Sequence, residues 1–426
     1  EYELQAGGQR LRVQVIRQKP LRTMTVYKQD NGQSLLENGP VDAAYLPERV
    51  IVYTTGGLHA WESLARQLSY AAEVRDAPEE VLADPVKRAI LELPGHLPRP
   101  EVTEAPDNVQ SPLLLLRESR LAIITLTGLL ASMGSEKRPL AGVLHSLNLV
   151  GLRGFSLRLR LHQALSDMEL FEQLRPHATR HVQQGSDHLL VFELPPEQGA
   201  QREFINNLWA DFASPLSFYE ALDRLSEPLA TGEPTLQQVN IFFERALQID
   251  DGEDEATRLL LFEWMSDGEQ SFLGRMGMLA MLQTENSLIL LDEPEVHFND
   301  YWKREIVSLI DNVMQEHANH LLIVSHSSIG LSDVPSAQVS VMSRGADGFA
   351  VTQSPTIRTL GTDPSEIMIV IFRTELSTGA YATNLLETAV ASGDRDKVAQ
   401  LLEKVGPGMW LFQLRRRLED FDASPA

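Results

Sequence analysis

The sequence predicts a mixed α/β fold, and three observations predict it. Leu288 to Leu291 is a continuous apolar run ending in Asp292-Glu293, and Leu321 to Val324 is a second, ending in Ser325-His326-Ser327. Between them, residues 300–317 carry Trp302, Ile306, Leu309, Ile310 and Val313 at helical spacing. Apolar runs of this length, without alternation, are typical of strands buried on both faces of a parallel sheet, and strand–helix–strand closes as a right-handed crossover. Thirdly, residues 1–56 alternate apolar and polar side chains in short stretches, the pattern of an antiparallel meander.

Within residues 1–57, Tyr2 to Gln5, Leu11 to Arg17 and Thr23 to Lys28 alternate, with Gly7-Gly8 and Asn31-Gly32 as turn signals. Val50 to Tyr53 then reads as a buried strand feeding Thr54-Thr55-Gly56-Gly57. That loop suits a ligand-facing position or a plain strand exit equally well.

Residues 58–250 read as a mainly helical insertion with β-hairpins. Trp61, Leu64, Leu68 and Ala71 have helical spacing, as does Val81 to Leu93, and Pro94 to Pro106 is a linker. Leu113 to Ala131 reads as one strongly apolar helix; its longest apolar run, Leu121 to Ala131, is broken by Thr125, Thr127 and Gly128 and is too short to span a bilayer. Gly154 to Leu161 is strand-like, with Arg158 and Arg160 on one face, either solvated or facing an acidic or phosphate partner. His181 to Gln184 and His188 to Leu194 form a hairpin, and Phe204 to Leu225 a helix. Val239 to Leu247 and Arg258 to Trp264 form a second hairpin around the acidic turn Asp250 to Glu255.

Residues 251–360 hold the chemistry. At a strand end in an open α/β sheet, a carboxylate can hold Mg²⁺ and a neighbouring one can orient or deprotonate a water. Asp292 and Glu293 stand at such an end; a buried strand running into a polar loop gives the same pattern. Met265-Ser266-Asp267-Gly268-Glu269-Gln270 precedes the helical stretch Phe272 to Leu282. A helix start of this kind offers backbone N–H groups to an anion, with glycine allowing close approach. Ser266 with Glu269 three residues on also fits a capping box. His326 falls on the same sheet edge as Asp292 and Glu293, where it can meet a phosphate or a water, although a lone histidine is more often structural. Residues 361–426 read as helical after a last hairpin, Gln338 to Met342 with Phe349 to Gln353. Arg415-Arg416-Arg417 there is offset by Glu419, Asp420 and Asp422.

The totals bound the function. The 426 residues carry 37 Lys and Arg against 59 Asp and Glu, a net charge of -22. Such a chain repels phosphate backbones, so broad nucleic-acid binding is disfavoured. With no cysteine, disulfides, thiolate catalysis and cysteine-ligated zinc are excluded, and a reducing, cytoplasmic setting is expected. The histidines show no zinc spacing. No signal peptide is evident.

Taken together, the motifs resemble the ABC-type ATPase head of SMC-like and RecF-like proteins. Ser266 to Gln270 is similar to the ABC signature in its Ser-Asp-Gly-Glu form, Leu288 to Glu293 to Walker B, Glu295 to Asn299 to the D-loop, and Ser325-His326 to the switch histidine. The string Asp292 to Asn299, with Leu360 to Pro364 further on, resembles AAA ATPases of bacterial anti-phage systems, including PARIS-like, Septu-like and restriction-associated ATPase subunits. The strong resemblance covers roughly residues 260–370.

The resemblance implies ATP and Mg²⁺ as cofactors, Asp292 as metal ligand, and Glu293 and His326 as catalytic residues. It also implies that Ser266, Asp267, Gly268, Glu269, Gln270 and Asn299 contact nucleotide, the signature acting in trans. It further implies a homodimer or higher homo-oligomer built through the ATP sites, no membrane association, and a sensor or scaffold controlling a separate effector, a nuclease. A RecF- or SMC-like role in DNA repair or chromosomes, or a scaffold that binds nucleotide without turnover, are the alternatives. A phosphate-cradling GxxxxGK[ST] is absent: Met133 to Lys137 has the wrong spacing, and no lysine follows Gly56-Gly57. The chain is either a non-hydrolysing relic or preceded by that loop. The family places the loop ahead of the meander, and the sequence opens at Glu1 without a methionine, so the second is expected.

Overall fold

Alternation near the amino terminus becomes a four-stranded antiparallel sheet of β1 (Tyr2–Ala6), β2 (Gln9–Gln18), β3 (Leu21–Lys28) and β4 (Ser34–Gly39), paired in sequence order. The computed structural model describes residues 2–6, 9–18, 21–28, 34–39, 46–47, 49–56, 61, 113–161, 165–228, 232–246, 257–282, 287–314, 319–345, 348–374 and 378–423. The turns at Gly7-Gly8 and Asn31-Gly32, the helices expected after Trp61 through Leu93, the linker Pro94 to Pro106 and the acidic turn Asp250 to Glu255 lie outside them. The chain divides into two units, Glu1–His326 and Ser327–Ala426.

Val50 to Tyr53 does form a buried strand, β5 (Arg49–Thr54). The apolar stretch that follows corrects the sequence reading. Leu113–Leu116 is a strand, β6, and the helix α1 begins only at Leu121 and runs to Gly134. A run of four leucines has no period that separates strand from helix. Pairing decided it, because β6 lies parallel to β5. Helix α1 is buried nearly all round, Ile123 to Met133 being inside, as expected for a helix without a polar face.

After α2 (Ala141–Ser146), β7 (Leu149–Arg160) leads through α3 (Leu165–Leu174) to β8 (Arg180–Gln184) and β9 (Asp187–Glu193). The helix expected from Phe204 to Leu225 is two helices, α4 (Gln198–Phe212) and α5 (Pro215–Leu225). Ala213 breaks them at a positive φ of 61°, and Ser214 caps the second, with Pro215 at its first position. Strands β10 (Leu236–Ala246) and β11 (Thr257–Leu261) complete a five-stranded antiparallel sheet of order β11-β10-β7-β9-β8. The two hairpins were legible separately; the pairing of β7 with both β10 and β9 joins them. On this sheet Asp187 accepts hydrogen bonds from Arg158 and Arg160, and Arg160 also meets Glu233, so both arginines are paired.

Helix α6 (Asp267–Met281) then feeds β12 (Ser287–Asp292), α7 (Asp300–Met314) and β13 (His320–Val324). The parallel sheet has the order β13-β12-β5-β6, and α7 is the crossover helix. One hydrophobic cluster joins Ile51, Leu116, Leu126, Phe155, Phe243, Leu279, Ile289 and Ile310. Each such side chain contributes about 1.5–3 kcal/mol by burial.

The second unit contains α8 (Ser328–Leu331), the hairpin β14 (Val341–Arg344) with β15 (Ala350–Gln353), and four further helices. These are α9 (Pro364–Val370), α10 (Ala380–Ala391), α11 (Arg395–Leu402) and α12 (Met409–Ala423). Leu386, Val398 and Leu414 form its core. No helix among the described residues is long and apolar enough to cross a membrane.

Candidate active site at the ends of the parallel strands

Strands β5, β12 and β13 run in the same direction, so Thr54, Asp292 and Val324 end side by side in register. The buried Thr54 hydroxyl donates to Asp292 Oδ2 at 2.9 Å and accepts from the amide of Gly56 at 3.0 Å. Two oxygen-bearing side chains therefore meet at one strand end. Thr54 was legible only as part of a loop; its bond to Asp292 joins strands far apart in sequence.

Glu293 leaves the strand in the left-handed region, φ 48°, and its amide donates to the Val324 carbonyl at 2.8 Å. The next strand end brings His326 within reach: its Nε2 lies 3.4 Å from Glu293 Oε1, with three-quarters of the ring side chain exposed. Glu295, which is buried, accepts from the Ser325 hydroxyl and from the His326 amide, the latter at 3.2 Å. The carboxylate turn and the histidine loop are thus tied together by Glu295, a residue whose part no local pattern revealed. Asn299 acts as the cap of α7, its Oδ1 accepting from the Trp302 amide at 2.9 Å.

At the start of α6 the capping box forms. Glu269 N–H donates to Ser266 Oγ at 3.3 Å, and Ser266 N–H donates back to Glu269 Oε2 at 2.9 Å. Arg245 on β10 also bonds Glu269. Burial pushes the Glu269 carboxyl up, but the hydrogen bonds from Ser266 and Arg245 outweigh it and hold the group below the usual glutamate range. Both readings of the motif therefore concern one structure. Glu269 is committed within its own chain, whereas Ser266, Asp267 and Trp264 are exposed at the helix start.

That helix start is held against the carboxylate turn. A Cβ on Gly268 would stand 3.0 Å from the His297 carbonyl oxygen, so only glycine permits this approach without a shift. Phe272 stacks on Trp302 at 4.7 Å, and Phe298 packs edge-on against Phe272 at 5.1 Å. The structure thus brings Ser266 to Gln270 beside the turn after Asp292, and Asp292, Glu293 and His326 to one sheet edge.

No curated protein matches the chain. A solved structure described as "Structural biochemistry of ATP-driven dimerization and DNA stimulated activation of SMC ATPases" is similar over 34% of this chain and 76% of that one. The identity there is 15% and the TM-score 0.24. Residues 153–333 match the family model described as "AAA domain, putative AbiEii toxin, Type IV TA system". The segment holding Ser266 to Gln270, Asp292, Glu293, Asn299 and His326 is thus similar to an AAA ATPase domain, an ATP-binding fold.

Proposed function

We propose that the protein binds and hydrolyses ATP with Mg²⁺ at a site shared between two copies of the chain. The observation that carries this reading is the convergence of Thr54, Asp292, Glu293 and His326 at one edge of the parallel sheet. Asp292 and Thr54 offer hard oxygen donors, the set Mg²⁺ prefers, and Asp292 Oδ2 accepts a hydrogen bond from Thr54. Asp292 would hold the ion, which supplies charge neutralisation for the transferred phosphoryl group. Glu293 orients the attacking water and takes its proton, and His326, beside it, donates a hydrogen bond toward the γ-phosphate or the water. The exposed start of α6 serves the nucleotide of a neighbouring copy through its backbone N–H groups. Asn299, the cap of α7, is assigned a nucleotide contact as well.

In this reading ATP assembles a homodimer or higher homo-oligomer in the cytoplasm. The assembly acts as a sensor or scaffold in an anti-phage system and controls a separate effector, a nuclease. Support for the cellular role is the resemblance of the Asp292 to Asn299 string to such ATPases, together with the acidic net charge of -22, which disfavours a direct DNA-binding role. The reading needs a phosphate-binding loop beyond the motifs spelled in this sequence.

Purified protein should hydrolyse ATP in Mg²⁺ and lose that activity in EDTA, with mass by light scattering rising when ATP is added. A protein that neither turns over ATP nor changes mass with it contradicts the reading. Co-purification with a neighbouring nuclease tests the effector.

A further inference from the structure

Arg275 lies on α6, among Phe272, Leu273, Met276 and Leu279, and is 1% exposed. Among the described residues no carboxylate pairs with it. Two of its three guanidinium nitrogens are bonded to neutral oxygens, and Nη2 is buried with no hydrogen-bond partner among the described residues. Nε donates to the Tyr53 hydroxyl at 2.9 Å, and Nη1 donates to the carbonyls of Pro294, at 2.6 Å, and Val296. The group also lies 5.6 Å from the Tyr53 ring centroid and 5.0 Å from that of Phe298. A buried charge without a counter-ion is costly, and its neutral partners here are specific.

Those partners sit on two sides of the candidate site. Tyr53 immediately precedes Thr54, which holds Asp292. Pro294 directly follows Glu293, at φ 48°, and Val296 directly precedes His297, at φ 71°, the two left-handed residues of the carboxylate turn. Left-handed backbone at a residue with a side chain persists only where its surroundings hold it. Arg275 thus bonds one carbonyl next to each of these left-handed residues.

We propose that Arg275 is a positioning residue: from the helix that carries Ser266 to Gln270, it holds the 293–298 turn and β5 in the arrangement that presents Glu293 and Asp292 at the sheet edge. The consequence for hydrolysis rests on the ATPase reading above; the hold on the turn does not.

Hydrogen–deuterium exchange separates the two. The Val296 amide donates to the Glu293 carbonyl at 3.1 Å and the Phe298 amide to the Glu295 carbonyl at 3.0 Å. In Arg275→Met these two amides should exchange about tenfold faster while α7 is unaffected, with Arg275→Lys between. The kcat for ATP should fall about a hundredfold in Arg275→Met, with KM within about threefold of wild type and part of the loss recovered by lysine. A folded Arg275→Met whose turn amides exchange as in wild type overturns the proposal, as does an unchanged kcat. If that variant does not fold, Tyr53→Phe, which removes only the hydroxyl acceptor, should still speed exchange of the turn, and no change there overturns the proposal. A wild-type protein without ATP turnover defeats the ATPase reading and with it the catalytic consequence, while the exchange of the turn still decides whether Arg275 holds it.

Discussion

Glu293→Gln is expected to stop ATP turnover while leaving ATP-dependent assembly in place. The amide has the size of the carboxylate but does not take a proton, and general-base catalysis contributes about 10²–10⁴-fold. The backbone at this position is already left-handed, and glutamine bears that conformation no worse than glutamate. The amide of residue 293 keeps its bond to the Val324 carbonyl, so the strand ends stay in place. Binding is therefore retained and the bound state accumulates, since what binds the assembled form stabilises it. Steady-state phosphate release, with light scattering in ATP, checks both halves. Turnover within about threefold of wild type would remove Glu293 from the role of base.

The largest expected effect on stability lies away from the site, where α1 crosses α6. A Cβ on Gly128 would meet the Gly277 carbonyl oxygen at 2.1 Å and its Cα at 2.4 Å. These are backbone atoms in a buried helix, so no flexible side chain can swing aside. Gly128→Ala must part the two helices, with a cost of about 3 kcal/mol or more. A fall in Tm of about 3 °C or more follows. The facing glycine behaves differently: a Cβ on Gly277 meets nothing nearer than 3.5 Å. Gly277→Ala should leave Tm unchanged or raise it, because alanine is the better helix former by about 0.5–1 kcal/mol. Thermal unfolding of the two variants side by side checks the crossing. It also bears on the site, since α6 carries both Ser266 and Arg275.

What could be read in the sequence was whatever is local. The strands at Val50 to Tyr53, Leu288 to Leu291 and Leu321 to Val324, the crossover helix between the last two, and the capping box at Ser266 and Glu269 are each written in consecutive residues, but β13 is the edge strand among the described residues and leaves Leu322, Ile323 and Val324 exposed, so the burial its apolar run predicts is corrected. The strand at Leu113–Leu116 was hidden because four leucines fit either element and the deciding contact is with β5. The same holds within the site. The bonds of Thr54 to Asp292 and of Arg275 to Tyr53 link residues more than two hundred positions apart. An arginine inside an apolar helical stretch was nonetheless a visible signal, because such a charge must find buried partners. Asn299 shows the converse: its place in the D-loop-like string is clear, but its use as the cap of α7 follows from a bond to Trp302.

In the proposed assembly the start of α6 of one copy and the carboxylate turn of another build one site. Ser266→Arg places a bulky side chain at the exposed helix start, at a cost of about 1 kcal/mol in lost capping. Glu293→Gln disables the carboxylate side. Each variant alone should be inactive. Mixed in equal amounts, half of the dimers carry one of each, and in those one of the two sites combines an intact Glu293 with an intact Ser266. About a quarter of wild-type ATP turnover should return. Two folded variants that remain inactive when mixed would contradict a site shared between copies.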